Sequence, residues 1–254
     1  LVIGSIFKTK IIIQEQNYLP GISNKILSKL ATIISVSYEN MEDYFPEKKI
    51  ILTGNPVRNS LINSNIKSGT IEIKSPSNIF NSNILVLGGS LGSEKINEVI
   101  SKNIFFFKKN KVMLTWQCGK NYFKTYKSFE SKYTKIYPFL DRIENFYQKC
   151  DIIISRAGAL TISELCIVGK PSILIPSPNV SENHQYYNAK YLFDREAAIM
   201  IEEKNLSNEL FPNLEKLLTS METRNQLSRA ISKLARPNAT NEIGLLINKI
   251  LAGG

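Results

Sequence analysis

The amino-acid sequence predicts an α/β protein with parallel β-sheets, and two patterns support this prediction. Short apolar runs alternate along the chain with longer amphipathic stretches, as strands and helices do when helices cover both faces of a parallel sheet. Several runs lead into turn residues, such as Gly88-Gly89, that introduce the next helix. The chain has 254 residues, 43% of them hydrophobic, which is enough for one large or two small domains.

The first part of the chain is predicted to form strands and one helix, followed by a linker. We expect the apolar stretch that starts at Leu1 to be a strand rather than a signal peptide, because lysines follow it without a small-residue cleavage site. A helix is predicted at 22–30, after Pro20-Gly21, and further strands at 11–13, 32–37 and 49–52. Residues 59–82 are rich in Ser, Asn and Lys, which predicts a linker and hence a domain boundary.

A second α/β unit is predicted after the linker. Its strands are expected at 83–87, 111–117, 134–137, 152–155 and 172–175. Its helices are expected at 94–107, 122–133, 142–150, 161–168, 182–194, 210–219 and 239–251. The order again alternates strand and helix, as in a parallel sheet.

Composition excludes some classes of protein and leaves others open. No apolar run approaches the roughly 20 residues that a helix needs to cross a bilayer. The three cysteines are odd in number and lack metal-ligand spacing, which fits a reducing compartment. The net charge of +10 permits nucleic acid, an anionic membrane or a phosphorylated substrate as partner, and lysine enrichment from an AT-rich genome explains it equally well. The lysines are scattered rather than interleaved with aromatic residues, so we expect no nucleic-acid partner.

A glycine-rich turn follows the strand predicted at 83–87. In Gly88-Gly89-Ser90 the strand leads into glycines, and a helix is predicted to begin a few residues later. Such a turn directs backbone N–H groups and the positive end of a helix dipole at an anion, typically phosphate, and glycine lets the anion approach the backbone. Ser90 is then a candidate phosphate ligand. The alternative is purely structural, with Ser93 capping the helix.

A second strand-to-helix turn occurs at 155–158, with the sequence SRAG. Arg156 at the end of a strand favours contact with an anion. Thr161 and Glu164 have the spacing of a capping box, so Glu164 could simply satisfy its own helix. Alternatively, Glu164 lies in a cleft, where its carboxylate can accept two hydrogen bonds from a ribose diol.

Further polar residues occupy predicted strand ends and helix starts. Glu15 and Asn17 follow a strand at the end where open α/β sheets bind ligands, and Arg58 closes a turn just after another strand. His184 is the only histidine and shares a predicted helix face with Asn188. A lone histidine is more often structural than catalytic.

Together these motifs resemble the MurG family of glycosyltransferases. The runs EQNYLPGISNK (15–25), TGNPVR (53–58), GGSLGSEKIN (88–97), SRAGALTISE (155–164) and HQYYNA (184–189) occur in the order and approximate spacing of that family. The family transfers N-acetylglucosamine from UDP-N-acetylglucosamine to lipid I in peptidoglycan synthesis. The resemblance covers nearly the whole chain.

The resemblance implies a fold of the GT-B type, in which two doubly wound parallel-sheet domains face a cleft. Residues 1–58 would belong to the acceptor-binding domain and 83–232 would form the UDP-N-acetylglucosamine domain. The helix within 233–254 would pack back toward the first domain. The N-terminal glycine-rich loop of the family, with its histidine, has no counterpart in this sequence, so we expect the first domain to be incomplete.

The resemblance also implies which residues bind the donor. Ser90 is expected to contact the diphosphate, Leu140 to meet uracil through its backbone, and Glu164 to bind the ribose. His184 stands where the family usually has glutamine, and it is expected with Gln185 on the sugar hydroxyls. The full expected set is Asn17, Arg58, Ser90, Leu140, Arg156, Ala159, Leu160, Thr161, Glu164, His184 and Gln185.

The implied reaction is an inverting displacement, in which the C4 hydroxyl of N-acetylmuramic acid attacks the anomeric carbon and UDP leaves. Glu15 is the candidate base for the hydroxyl proton, and the histidine of the absent loop is its rival. The sequence contains no Asp-x-Asp pair, so we expect no metal and no other cofactor. Helix N-termini, Ser90 and an arginine would meet the charge on the departing UDP.

Two alternatives stay open. One is a UDP-N-acetylglucosamine 2-epimerase of the same architecture, which the EQN and TGNPVR motifs disfavour. The other is a non-catalytic donor-binding module that works only with a partner chain. Because lipid I (undecaprenyl-pyrophosphoryl-N-acetylmuramyl-pentapeptide) lies in the membrane, we expect a peripheral protein on the cytoplasmic face of the inner membrane, bound to its anionic surface.

Overall fold

The structure, a computed structural model, describes residues 9–67 and 81–252 of the chain. The strand predicted at the start of the chain and part of the predicted linker lie outside these residues. Within them, the chain forms two parallel β-sheets with helices packed against them. The predicted α/β class is therefore confirmed.

In the described part of the chain the first sheet has three parallel strands in chain order, β1 (Ile12–Glu15), β2 (Ile33–Val36) and β3 (Ile50–Leu52). Helix α1 (Ile22–Leu27) connects β1 to β2 and is shorter than predicted. Beyond the helix, the carbonyl groups of Ser28 and Lys29 accept hydrogen bonds from Lys49 Nζ at 3.2 and 2.8 Å. These side-chain hydrogen bonds replace those that further helical turns would make.

Helix α2 (Asn59–Lys67) occupies the first part of the predicted linker. Its Leu61 is fully buried in a cluster that also contains Ile34 of β2 and Leu165 from the second part of the chain. A single deeply buried leucine in a stretch rich in Ser and Asn gives little periodic signal, which is why composition predicted a linker there.

The second sheet has six parallel strands in the order β6–β5–β4–β7–β8–β9. They are β4 (Ser82–Leu87), β5 (Val112–Gln117), β6 (Thr134–Tyr137), β7 (Ile152–Ser155), β8 (Ser172–Leu174) and β9 (Ile199–Met200). The chain runs from β4 outward to β6 and then returns to the other side of β4, which creates a topological switch point between β4 and β7. Strand β9 has only two residues and was not predicted.

Helices cover both faces of this sheet. They are α3 (Glu94–Lys102), α4 (Ile104–Lys109), α5 (Phe123–Tyr126), α6 (Ile143–Lys149), α7 (Ala159–Val168), α8 (His184–Phe193), α9 (Leu206–Thr219), α10 (Met221–Ser232) and α11 (Ala239–Ala252). The helix predicted at 94–107 divides at Asn103, whose side chain donates to the Val99 carbonyl at 2.9 Å. The helix predicted at 122–133 is wrong beyond Tyr126, where a 3-10 turn at Lys127–Phe129 replaces it; the Tyr126 ring packs on Trp116 with centroids 5.0 Å apart. Helix α10 was not predicted.

Hydrophobic side chains bury both faces of the second sheet. On one face, Trp116 and Phe107 are fully buried. The cluster on the other face includes Leu85 and Ile153 and continues to Ile34 of the first sheet. The two sheets therefore share a hydrophobic core. No helix in the described ranges is both long and apolar enough to cross a membrane.

Candidate functional site

The candidate site lies at the carboxyl ends of β4 and β7, the neighbouring strands at the switch point. Leu87 and Ser155, the last residues of these strands, pair directly, so the turns that follow them lie side by side. Open α/β sheets bind ligands in the crevice at such a point. Ser90 in the first turn is exposed. Gly89 has a φ of +88° and nothing within 4 Å of the position of a Cβ, so an anion can approach its backbone.

The other glycines near this turn serve packing inside the protein. A Cβ on Gly92 would overlap the carbonyl oxygen of Cys118, and a Cβ on Gly119 would lie 2.5 Å from the Gly92 Cα. Ser93 caps α3, since its hydroxyl accepts a hydrogen bond from the backbone N–H of Ile96 at 3.3 Å. The structural alternative for Ser93, capping of α3, is thus confirmed. Among these glycines, Gly89 is the one that leaves room for an anion.

The second turn leads into α7 earlier than predicted. The N-cap is Gly158, which offers no side-chain hydrogen bond, so Thr161 already lies in the first turn of the helix. The predicted capping box of Thr161 and Glu164 is therefore wrong. The backbone N–H groups at the start of α7 have no capping side chain, and with the helix dipole they favour an anion at the switch point.

Glu164 faces residues from other elements rather than its own helix terminus. Its carboxylate accepts a hydrogen bond from the Tyr147 hydroxyl at 3.1 Å and lies 3.4 Å from Arg58 Nε. Burial raises the pKa of the Glu164 carboxyl, and the positive charge of Arg58 opposes part of this rise. Two predicted site residues, Arg58 and Glu164, are thus brought together although they are far apart in the sequence.

Arg156 is held by several groups of the protein itself. Its guanidinium donates to Ser93 Oγ at 2.5 Å and to the carbonyl of Ile175 at 3.2 Å, and it forms a close ion pair with Glu203. The anion that contacts Arg156 is therefore the Glu203 carboxylate of the same chain. Glu203 could not be predicted as this partner from the sequence, because it lies 47 residues away in a 3-10 turn after β9.

Gln185 and His184 begin α8 and connect loops around the site. The Gln185 side-chain oxygen accepts hydrogen bonds from the backbone N–H groups of Ala157 and Ser177 at 3.2 and 3.0 Å. His184 Nδ1 lies 3.1 Å from the carbonyl oxygen of Leu19, in the loop after β1. The start of α8 therefore contacts loops that follow strands of both sheets.

Asn17 reaches across from the first sheet, and its partner is Asn188. The Asn188 side chain donates to Asn17 Oδ1 at 3.1 Å and to the Ala157 carbonyl at 3.2 Å, and it accepts from the Tyr18 N–H at 2.9 Å. Asn188 is fully buried. Sequence analysis noted its position on α8 but gave it no role, because its partners lie up to 171 residues away.

Asn55 is a second buried amide that sequence analysis missed. Its Nδ2 donates to the carbonyl of Gln16 at 3.0 Å and to Ser163 Oγ of α7 at 3.1 Å. Within the motif at 53–58 only Arg58 was singled out. We call the contacts of Asn17, Tyr18 and Asn55 with Ala157, Ser163 and Asn188 the sheet junction.

Glu15, the predicted catalytic base, is occupied by its own loop. Its carboxylate accepts hydrogen bonds from the Asn17 N–H at 2.9 Å, the Gly21 N–H at 3.1 Å and Asn24 Nδ2 at 2.8 Å. The residue is only 2% exposed. A carboxylate with both oxygens engaged and no access to solvent is poorly placed to take a proton from a substrate hydroxyl. The geometry therefore argues against that assignment.

The remaining predicted residues lie around the same edge of the second sheet. Ala159 and Leu160 form the first turn of α7, and Leu160 is 46% exposed. Leu140 lies in the loop after β6, two strands from β4, with its side chain buried in the core. A cavity of about 320 Å³ lies between the start of α3 and the loops after β8 and β9, with Lys95, Pro176, Tyr186 and Glu203 among its lining residues.

Comparisons with known proteins find relatives by sequence. The family model for the C-terminal domain of glycosyltransferase family 28 matches residues 83–243. A Flavobacterium psychrophilum protein named UDP-N-acetylglucosamine–N-acetylmuramyl-(pentapeptide) pyrophosphoryl-undecaprenol N-acetylglucosamine transferase is 46% identical over 96% of this chain. A Christiangramia forsetii protein of the same name is 44% identical over 94% of this chain. The chain spans 66% of the length of each of these two relatives.

Solved structures share the fold. The crystal structure of Acinetobacter baumannii MurG covers 98% of this chain, which spans 69% of it, with a TM-score of 0.78 and 24% identity. A UDP-GlcNAc 2-epimerase from Neisseria meningitidis covers all of this chain, which spans 72% of it, with a TM-score of 0.66 and 14% identity. At these identities the likeness shows the fold alone, and that fold is the predicted GT-B type.

Proposed function

The chain belongs to glycosyltransferase family 28, and from this premise we propose that it serves the transfer of N-acetylglucosamine from UDP-N-acetylglucosamine to lipid I. The acceptor atom would be the C4 hydroxyl of N-acetylmuramic acid, and the product would be lipid II. The names of the two relatives above support this proposal, as does the order of the five motifs. The chain spans 66% of the length of each relative, so the proposal is that it takes part in this reaction, not that it carries out the whole reaction alone.

The observation that carries the proposal is that two strand-to-helix turns with exposed backbone N–H groups lie side by side at the switch point. Gly89 and Ser90 on one side and the uncapped start of α7 on the other would hold the diphosphate. Both turns have backbone N–H groups available, and backbone donors suit a phosphate without needing a positive side chain.

The other donor groups would extend from this point along the carboxyl edge of the sheet. Glu164 would bind the ribose diol with Arg58 beside it, and the backbone of Leu140 would meet the uracil. Ala159, Leu160 and Thr161 would lie along the diphosphate and sugar, with Gln185, His184 and Asn17 near the sugar hydroxyls. On this proposal residues 83–232 form the donor-binding domain.

The proposed reaction is an inverting displacement at the anomeric carbon. The bond to the UDP oxygen breaks as the acceptor hydroxyl oxygen attacks, so negative charge develops on the departing diphosphate. The start of α7, Ser90 and the turn at Gly89 would stabilise that charge, and such preorganised donors are commonly the largest contribution to catalysis. The acceptor proton would go to a base, and the hydrogen bonds that the Glu15 carboxylate already accepts leave Glu15 poorly placed for that role.

We further propose that the protein acts at an anionic membrane surface, on the cytoplasmic face of the inner membrane, where lipid I would be available. The net charge of +10 supports this, as do Ile22 and Ile26 of α1, which are 60% and 64% exposed with Lys25 between them. Co-sedimentation with vesicles containing phosphatidylglycerol but not with pure phosphatidylcholine would be the expected result. Equal binding to both would contradict it.

Calorimetric titration tests the donor assignment. We expect the chain to bind UDP-N-acetylglucosamine more tightly than UDP-glucose, since the proposed donor carries an N-acetyl group that UDP-glucose lacks. A folded chain that binds neither would contradict the proposed function. Incubation with lipid I then distinguishes transfer, which gives lipid II, from epimerisation, which releases a free altered sugar without any acceptor.

A further inference from the structure

A single guanidinium group connects the carboxyl ends of four neighbouring strands in the second sheet. Arg156 follows β7, and it donates to Ser93 Oγ beyond β4 at 2.5 Å and to the carbonyl of Ile175, just after β8, at 3.2 Å. Its ion-pair partner, Glu203, follows β9. Strands β4, β7, β8 and β9 are adjacent in the sheet, so this network runs along one edge from the switch point outward.

Glu203 is the charged partner of this guanidinium. The side chains of Arg156 and Glu203 are only 14% and 20% exposed, so an unpaired Arg156 would leave a poorly solvated positive charge. The same nitrogen, Nη2, contacts both Glu203 and Ser93. Holding this nitrogen fixes Ser93, and Ser93 caps α3 immediately after the turn that contains Gly89 and Ser90.

We propose that Glu203 is a positioning residue for the diphosphate-binding turns. Through Arg156 it holds the turn after β4 and the turn after β7 at a fixed separation, so that their backbone N–H groups converge on a diphosphate. The inference rests on the proposed donor site and extends it to a residue beyond the resemblance and the motifs. Glu203 does not touch the donor, because a carboxylate beside a diphosphate would repel it.

Glu202 provides a matched control. It precedes Glu203, lines the same cavity of about 320 Å³, and pairs with Lys204 at 3.0 Å rather than with Arg156. Its side chain is 44% exposed. Glu202→Gln therefore removes an equal charge from the same surface without affecting the network of Arg156.

The test is calorimetric binding of UDP and of uridine to the full chain and to the variants Glu203→Gln, Glu203→Asp and Glu202→Gln. We expect Glu203→Gln to weaken UDP binding about tenfold, the effect of losing one charged hydrogen bond, and to change uridine binding by less than about twofold. Glu203→Asp keeps the charge on a shorter side chain and should lie between Glu203→Gln and the unchanged protein. Glu202→Gln should match the unchanged protein with both ligands.

The outcomes separate this inference from the proposed function. If the unchanged chain does not bind UDP, the proposed donor site is wrong and the inference falls with it. If the unchanged chain binds UDP and Glu203→Gln binds it equally well or more tightly, the inference alone is overturned, since tighter binding would mean that Arg156 is freed to contact the diphosphate. Equal weakening of UDP and uridine would also overturn it, because that indicates a general loss of structure. If Glu203→Gln does not fold, the comparison of Glu203→Asp with Glu202→Gln decides by the same criteria.

Discussion

The Glu15 carboxylate shows how a residue at the ligand-binding end of a strand can serve the protein instead of the substrate. Its two oxygens accept hydrogen bonds from two backbone N–H groups and from Asn24, which closes the loop between β1 and α1. Position in the sequence makes it a candidate base, but in the folded protein both of its oxygens already accept hydrogen bonds. Burial and satisfied hydrogen bonds distinguish a structural carboxylate from a catalytic one.

We predict that Glu15→Gln destabilises the protein by about 2–3 kcal/mol, because an amide NH2 then faces an N–H donor and the charged hydrogen bonds are lost. Urea unfolding measures the change. Glu42→Gln, at an exposed carboxylate before β3, is the control and should leave the free energy of unfolding unchanged. A fully stable Glu15→Gln variant would contradict the structural role and revive Glu15 as a candidate base.

Glu164 leads to a prediction about pH. Burial raises the pKa of its carboxyl above the unfolded value, so the folded state binds the proton more readily. The contribution of Glu164 to stability is then present below the unfolded pKa of about 4.3 and is lost as pH rises through the folded pKa. We expect the free energy of unfolding of the unchanged protein, minus that of Glu164→Gln, to decrease from about pH 4 upward, measured by urea unfolding at several pH values. A difference that does not vary with pH would contradict the raised pKa.

At the scale of the element, the turn after β4 contains two glycines with different structural roles, which the sequence does not distinguish. Gly89 and Gly92 have φ values of +88° and +84°, but a Cβ would enter open space at Gly89 and overlap the Cys118 carbonyl at Gly92. We expect Gly89→Ala to cost about 1–2 kcal/mol from backbone strain alone, and Gly92→Ala about 3 kcal/mol or more once the overlap is added. Thermal unfolding of the two variants provides the measurement. Equal destabilisation would contradict the contacts described for Gly92.

The elements that sequence analysis predicted well are those with an unambiguous local signal. Strand β7 is a run of isoleucines bounded by polar residues, and its limits were predicted without error. Helix α10 was missed because its sequence, METRNQLSRAIS, is mostly polar and only a few of its side chains are buried. The start of α7 was misplaced because Gly158 is the N-cap, whereas a hydroxyl at Thr161 suggested a later start. Local signals mark regular elements, and tertiary contacts decide the irregular ones.

Some features of the candidate site could likewise be predicted from the sequence, and others could not. Its location at two strand-to-helix turns followed from glycine, serine and arginine placed after predicted strands. The pairing of Arg156 with Glu203, of Arg58 with Glu164 and of Asn17 with Asn188 did not, because each pair joins distant parts of the chain. The sequence shows which residues follow the strands of a parallel sheet, but the order of the strands in the sheet determines which of these residues come into contact.

At the scale of the whole molecule, the first sheet has only three described strands and depends on the second part of the chain for burial. The shared core and the sheet junction join the two, and the rings of Tyr18, Tyr38 and Tyr191 pack together with centroids 4.7 to 5.6 Å apart. The segment before α11 also returns to the first sheet, where Arg236 lies against Gly54 and pairs with Glu39 at 3.3 Å. We therefore expect the first sheet to lose its protection first when its contacts with the second part of the chain are removed.

Asn188→Ala tests this coupling. The substitution removes the partners of the Tyr18 N–H and the Ala157 carbonyl, and leaving such buried groups unpaired should cost about 2–3 kcal/mol. Because the first sheet has the smaller core, hydrogen exchange should quicken most for the amides of β1 to β3 and less for those of β4 and β7. Asn213→Ala is the control, since the hydrogen bond described for the Asn213 side chain is to the Glu209 carbonyl within α9 and its loss should leave both sheets unchanged. Uniformly faster exchange across both sheets would mean that the sheet junction stabilises the molecule as a whole, without coupling one sheet to the other in particular.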